Sequence, residues 1–440
     1  MKKIVIAVIF VFLGFSYVYA GNLYEGKLSN GLNYRIYKTN DLPIISVDIK
    51  IKAGSYFDKK FGEANILANS LDSCATSSLT ADEFRDMVDA LGGRISSSAS
   101  KQYIDITAKF PLSKADRMFC LLSQMFKSKF DKKNFDFVKR EATDEIKSLQ
   151  NDKDYLAIHS AFVNLLSQNA YSHTSLGTIK GIKSITRNDI KAFFKRYFNT
   201  DNMVISVSGG KFKEQDIADM IKSHFLFLKR GKRASLAPVV FKKGLFVKDI
   251  IRKQAKQSYI YMAFPAFSTL DKRHYAAKIL AFILGGNLDS VLAKDIRTKH
   301  GYAYSVFAFN YQMKKGGIFV IGLETQNIFT TYAVKRVFED VKNIDNFITP
   351  ERVEDAKRYL VGRNEIALQS SLSVAGALSS SYMLNIKELP WVHFRKEINK
   401  VSKKDVVQAA KTIFKNVSIG IVSSANYEKE IKKMVKEYGY

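Results

Sequence analysis

The chain has 440 residues, 46% hydrophobic and 25% charged, a globular balance that excludes wholesale disorder. Six prolines and 24 glycines exclude collagen-like and proline-rich classes, and two cysteines exclude a disulfide scaffold or a cysteine-rich zinc module. The formal net charge is +27, yet the basic residues are scattered and no nucleic-acid motif with interleaved aromatics accompanies them. A solvated basic surface is the plain reading and attraction to an acidic protein partner the second; nucleic acid is not expected.

The first predicted element is a signal peptide over residues 1–20. Met1-Lys2-Lys3 is a short positive region, Ile4 to Phe15 is an almost unbroken apolar run, and Val18-Tyr19-Ala20 places small residues at the −3 and −1 positions. The run is short for a bilayer span, and no later stretch is apolar enough for one, so no stable membrane span is expected after cleavage. The mature chain is expected to start near Gly21 and to be periplasmic or secreted. Such a compartment permits a disulfide between Cys74 and Cys120; two free, buried cysteines are the alternative.

Ile45, Val47, Ile49 and Ile51 alternate with polar residues, which predicts a half-buried strand. Thr80-x-x-Glu83 is a capping box that opens a helix, and Gly92-Gly93 stops it. A helix is predicted over about 131–150, with Phe135, Val138, Ala142, Ile146 and Leu149 on one stripe. Glu145 falls close to Val138 and Leu149, where a carboxylate needs a partner; Asn65 or Asn69 is the candidate. A helix over 189–197 leads into a strand beginning near Met203, and a helix over 404–414 leads into one near Val417. This repeated ending, about 215 residues apart by the numbering, suggests a duplicated α+β unit. The expected units are 21–228 and 244–440, joined by a basic, Pro238-containing linker over 229–243. Strands are predicted at 259–264 and 318–323. The small residues around Ser370, Gly376 and Ser381 receive no function.

Several pieces in order carry a family resemblance. They are Leu28-Ser29-Asn30-Gly31-Leu32, Gly62-Glu63-Ala64, Leu91-Gly92-Gly93, Tyr171-x-His173, Asp201-Asn202-Met203, Leu284-Gly285-Gly286, and Arg297 with Gly301-Tyr302-Ala303-Tyr304. In order and spacing the chain resembles the pitrilysin/insulinase zinc peptidases, in particular those like mitochondrial processing peptidase. The resemblance implies an α+β fold of two similar domains, each a mixed, mainly antiparallel sheet with helices packed on it.

Active members carry His-x-x-Glu-His on the helix that follows Gly62: two zinc ligands and a general base converging on one helix face. Here those positions read Asn65, Ala68 and Asn69. A third ligand in the family is a glutamate, and Glu145 stands at its place. Asp72 shares the Asn65 face, so an oxygen site for calcium or magnesium is the alternative to local hydrogen bonding, and bonding is favoured. None of His159, His173, His224, His274, His300 and His393 rebuilds the ligand set. No metal and no catalytic residue is therefore expected on this chain. Arg297 and Tyr304 match an arginine and a tyrosine that help hold substrate in the family; a surface arginine and a packed tyrosine are the alternative. Some members work as two chains, one with the zinc motif and one with the arginine–tyrosine pair, and substrate peptides lie as an added strand on a sheet edge. The resemblance thus implies a substrate-binding subunit whose partner is a zinc-binding subunit of the same family, with zinc on that partner. A peptide-binding or assembly protein without proteolysis is the second reading, and a peptidase active alone through another site the third.

Overall fold

A computed structural model of the chain describes residues 18–19, 23–39, 42–72, 75–166 and 170–440. The signal-peptide reading falls outside these residues except at Val18–Tyr19, and the disulfide reading falls outside them because Cys74 does. No helix among the described residues is long and apolar enough to cross a membrane.

Two sheets form in succession. The first holds β1 (Val18–Tyr19), β2 (Leu23–Lys27), β3 (Asn33–Thr39), β4 (Ile44–Ile51), β5 (Arg94–Ala99), β6 (Ile104–Pro111) and β7 (Met203–Gly210), in the order β1-β2-β3-β7-β4-β6-β5. The second holds β8 (Leu245–Ile251), β9 (Gln257–Ala266), β10 (Ala303–Met313), β11 (Gly316–Gln326) and β12 (Val417–Ser423), in the order β10-β11-β9-β12-β8. The pairs β3–β7 and β8–β12 are parallel and the others antiparallel. Without β1 and β2 the two sheets have one plan. β3-β7-β4-β6-β5 matches β8-β12-β9-β11-β10, strand for strand and sense for sense. This is an α+β fold of two similar, mainly antiparallel sheets from one duplicated unit. The repeated helix-to-strand endings lead into β7 and β12, the strands that carry the parallel pairing in each sheet.

Each sheet buries one face under helices of its own half. In the first half these include Glu63–Asp72, Ala115–Met125 and Lys132–Leu149, whose apolar residues join β4, β6 and β7 in one core. In the second they include Arg273–Gly285, Thr330–Lys342 and Lys403–Ile413. The other faces are covered by exchange. The helix Lys153–Leu166 leaves the first half and packs on β8, β9 and β12, setting Ala157, Ala161 and Leu165 against Tyr261, Ala263 and Val422. The helix Ser371–Met383 returns from the second half onto β3, β4 and β7.

That exchange corrects one expectation. β4 is buried along almost its whole length, including Ser46, Asp48 and Lys50, and is not half-buried. The period-2 alternation is real, but its polar face lies under the returning helix rather than in water. Residues 229–243 contain neither helix nor strand. They are tied to both halves: Ala237 N donates to Tyr56 Oη (3.0 Å), Val239 N to Lys315 O (3.1 Å) and Lys242 N to Leu165 O (3.0 Å).

Candidate functional site

The helix Glu63–Asp72 begins from a left-handed glycine, Gly62, at φ 116°, a conformation that favours glycine. Asp58 caps it: its carboxylate accepts from Gly62 N (2.7 Å) and Ala64 N (2.9 Å), filling donors that a helix start leaves free. The helix packs on β5 and on the helix Lys132–Leu149. Its next turn presents Asn65, Ala68 and Asn69. Asn65 is buried and its Nδ2 donates to Leu176 O (3.4 Å). Its Oδ1 accepts from Asn69 Nδ2 (3.3 Å). Ala68 is fully buried in the core.

Zinc does not fit this helix. Two neutral amides and a methyl group stand where nitrogen and carboxylate donors are required, and the Asn65 oxygen is already a hydrogen-bond acceptor. Ala68 can transfer no proton. Among the described residues no group of three His, Cys, Asp or Glu side chains is placed to hold a metal ion. Asp72 is likewise committed, its Oδ1 accepting from Ser97 N (3.0 Å) on the edge strand β5. Burial pushes the Asp72 carboxyl above the usual carboxylate range, against the pull of the Ser97 amide and Arg94.

Glu145 requires a correction. It is exposed, and no hydrogen bond joins it to Asn65 or Asn69. The buried stripe of its helix is Phe135, Val138, Ala142 and Ile146, with Leu149 only half-buried. Steps of three, four and four residues turn the stripe slowly around the helix, and Glu145 falls on its solvent margin.

His173 is placed by packing. Its ring stacks on Phe61 at 4.1 Å, and its Nε2 lies 3.0 Å from Ser55 O and 3.6 Å from Asp58 Oδ2. It supports the entry to the degenerate helix.

In the second half the helix equivalent to Glu63–Asp72 is Arg273–Gly285, and the arginine–tyrosine pair lies after it. A π-helical turn, Ala293–Lys299, carries Arg297, and β10, the edge strand equivalent to β5, carries Tyr304. Arg297 is exposed, Tyr304 is 75% exposed, and the guanidinium lies 5.8 Å from the phenol ring centroid. The structure therefore brings the pair together in solvent, and the packed-tyrosine alternative does not hold. Sequence reading missed what holds this turn. Asp295 is clamped by Arg336 through Nε–Oδ2 (2.6 Å) and Nη2–Oδ1 (2.8 Å), a bidentate geometry of the stronger kind. His300 N donates to Asp295 O (3.1 Å) and Tyr302 N to Ile296 O (2.9 Å). Arg336 also pairs with Glu339. The only sequence signal for this clamp was an arginine on a separate helix, Thr330–Lys342, and spacing does not reveal such a contact. No hydrogen bond or ion pair among the described residues links the Arg297 turn to the Asn65 helix.

The chain matches two sequence profiles of one family. Residues 36–179 match the insulinase domain (peptidase family M16) and residues 184–360 the peptidase M16 inactive domain. The chain belongs to the insulinase (M16) peptidase family, as a member whose zinc motif is degenerate. It is 26% identical over 444 residues to the "Non-peptidase homolog YmxG" of Helicobacter pylori, covering 98% of this chain and 100% of that protein. It is 21% identical over 422 residues to the "Mitochondrial-processing peptidase subunit beta" of Dictyostelium discoideum, covering 91% and 88% of the two chains. The crystal structure of a peptidase M16 inactive domain from Pseudomonas fluorescens superposes with a TM-score of 0.83, at 20% identity over 92% of this chain and 98% of that one.

Proposed function

We propose that this chain is the non-catalytic, substrate-binding subunit of a secreted or periplasmic heterodimeric zinc peptidase of the processing-peptidase type. In this reading its halves are 21–228 and 244–440, joined by 229–243, and the partner is a zinc-binding member of the same family. The observation that carries it is the contrast between the Asn65 helix and the Arg297 turn. The first-half helix is chemically silenced at Asn65, Ala68 and Asn69, while Arg297 and Tyr304 stand together, exposed, beside the edge strand β10. A guanidinium and a phenol both donate hydrogen bonds to a peptide carbonyl, and an edge strand offers unpaired backbone groups to an extended peptide. The relative described as a processing-peptidase subunit supports a two-chain assembly.

Affinity purification of the tagged chain is expected to co-elute, one to one, a chain of similar size with intact His-x-x-Glu-His. In the reconstituted pair Arg297→Ala is expected to lower peptide turnover by about 100-fold, the scale of losing one transition-state donor, with pairing intact. Unchanged turnover sinks the role of Arg297. Elution alone favours the second reading, a peptide-binding or assembly protein without proteolysis, which the non-peptidase description of one relative supports.

A further inference from the structure

The edge strands β5 and β10 meet equivalent helices at equivalent positions. Ile205, the third residue of β7, pairs with Ile49 of β4, Ile49 with Ile106 of β6, and Ile106 with Ser97 of β5. In the second half Ile419, the third residue of β12, pairs with Met262 of β9, Met262 with Ile321 of β11, and Ile321 with Ala308 of β10. Register therefore makes Ser97 the counterpart of Ala308. Each lies against the last residue of its helix, Asp72 in one half and Gly285 in the other.

The two contacts differ in chemistry. Asp72 Oδ1 accepts from Ser97 N at 3.0 Å. Gly285 offers no side chain, and a Cβ there would lie 2.3 Å from Ala308 N. Among the described residues no hydrogen bond from outside the sheet reaches the backbone of 303–312. The shared plan therefore does not require a capped edge, and the cap belongs to the first half alone.

On an edge strand every second residue turns its N–H and C=O outward. Ser97 is one of these on β5, so Ile95 and Ala99 are its outward neighbours in an unbroken register. Of the six residues of β5, Ser97 alone is buried. A peptide adding as a further strand needs these outward positions in line. Its carbonyl would have to stand where Asp72 Oδ1 already stands. We propose that Asp72 is a plug that closes the first-half edge to strand addition by an extended peptide. Combined with the peptide-binding reading above, on which this consequence rests, it leaves β10, beside Arg297 and Tyr304, as the edge where the peptide adds. Asp72 then decides which of two similar edges is used, without touching the peptide.

The test uses the full chain and two probes, the pentapeptide acetyl-Val-Thr-Val-Thr-Val-amide and its fully N-methylated form, which cannot donate backbone hydrogen bonds. Amide hydrogen exchange is followed by mass spectrometry over 94–99 and 303–313. In the wild type the pentapeptide is expected to slow exchange over 303–313 and to leave 94–99 unchanged. Asp72→Ala is expected to speed exchange at Ser97 about tenfold, the worth of a hydrogen bond to a charged group. The pentapeptide then slows 94–99 in that variant, and the N-methylated form slows neither segment. Slowing over 94–99 in the wild type, none there in Asp72→Ala, or an equal effect of the N-methylated form overturns the proposal. Slowing over 94–99 in the variant, with none over 303–313 in either protein, upholds the plug and removes β10 from the peptide-binding reading. If Asp72→Ala fails to fold, Asp72→Ser, whose hydroxyl is one bond shorter than the carboxylate, decides the same question.

Discussion

Beside the Arg297 turn, Asp340 is buried with its Oδ2 unpartnered. Burial first, then repulsion from Asp295, pushes its carboxyl from an ordinary 3.8 up to about 7, and Arg336 only partly opposes this. The native state therefore holds this proton more tightly than the unfolded chain does. The resulting stabilisation is fully present below pH 3.8 and is lost as pH rises through about 7. Asp340→Asn is expected to remove that component and flatten the decline of Tm across this window; an unchanged slope would show that Asp340 is not the titrating group. Residues differ in how far sequence exposes them. Asn65, Ala68 and Asn69 were legible through the family resemblance, which says where the zinc motif should stand; helix periodicity explains only why those three positions converge. Glu145 was misplaced because its helix buries a narrow, turning stripe.

At the scale of elements, the helix Ser371–Met383 is bound to its sheet by a polar contact. Arg35 of β3 donates from Nη1 to Ser381 Oγ (2.7 Å) and Leu378 O (3.3 Å), and from Nη2 to Ile386 O (3.0 Å). Its Nε pairs with Glu25 at 2.5 Å. Ser379 bonds Asp48, and Ser371 Oγ lies 2.8 Å from Ser46 Oγ. The serines left without a role in the sequence are therefore the helix's docking groups, and they explain how β4 tolerates buried polar residues. Arg35→Ala removes these donors and leaves Glu25 unpaired. It is expected to cost about 3 kcal/mol in urea unfolding, the lower end for breaking a buried pair. A loss below about 1 kcal/mol, within the range of exposed pairs, would show that the apolar contacts of Val374 and Leu378 hold the helix by themselves.

For the whole molecule, the repeated helix-to-strand ending was visible in the sequence because apolar strands and capped helices leave local patterns. The exchange of helices was not. An apolar stripe shows that a helix packs, and says nothing about which sheet it meets. The nearest hint was Gly420 in β12. A Cβ there would lie 2.0 Å from Ala157 O, so the strand needs glycine where the helix from the other half crosses closely.

That exchange makes the covalent link between the halves expendable. Each half holds the lid of the other, so a cut within 229–243 yields two fragments that complement each other, neither able to cover its own sheet. The nicked chain is expected to run as one species in native gel filtration and to separate only in denaturant. Fragments that part in buffer would mean that the crossing helices do not hold the halves. By the same reasoning the second half expressed alone exposes the apolar face of Tyr261, Ala263 and Val422 and is an aggregation hazard, the first half alone exposes the polar face of Ser46, Asp48 and Lys50, and co-expression of the two restores a single folded body from two genes.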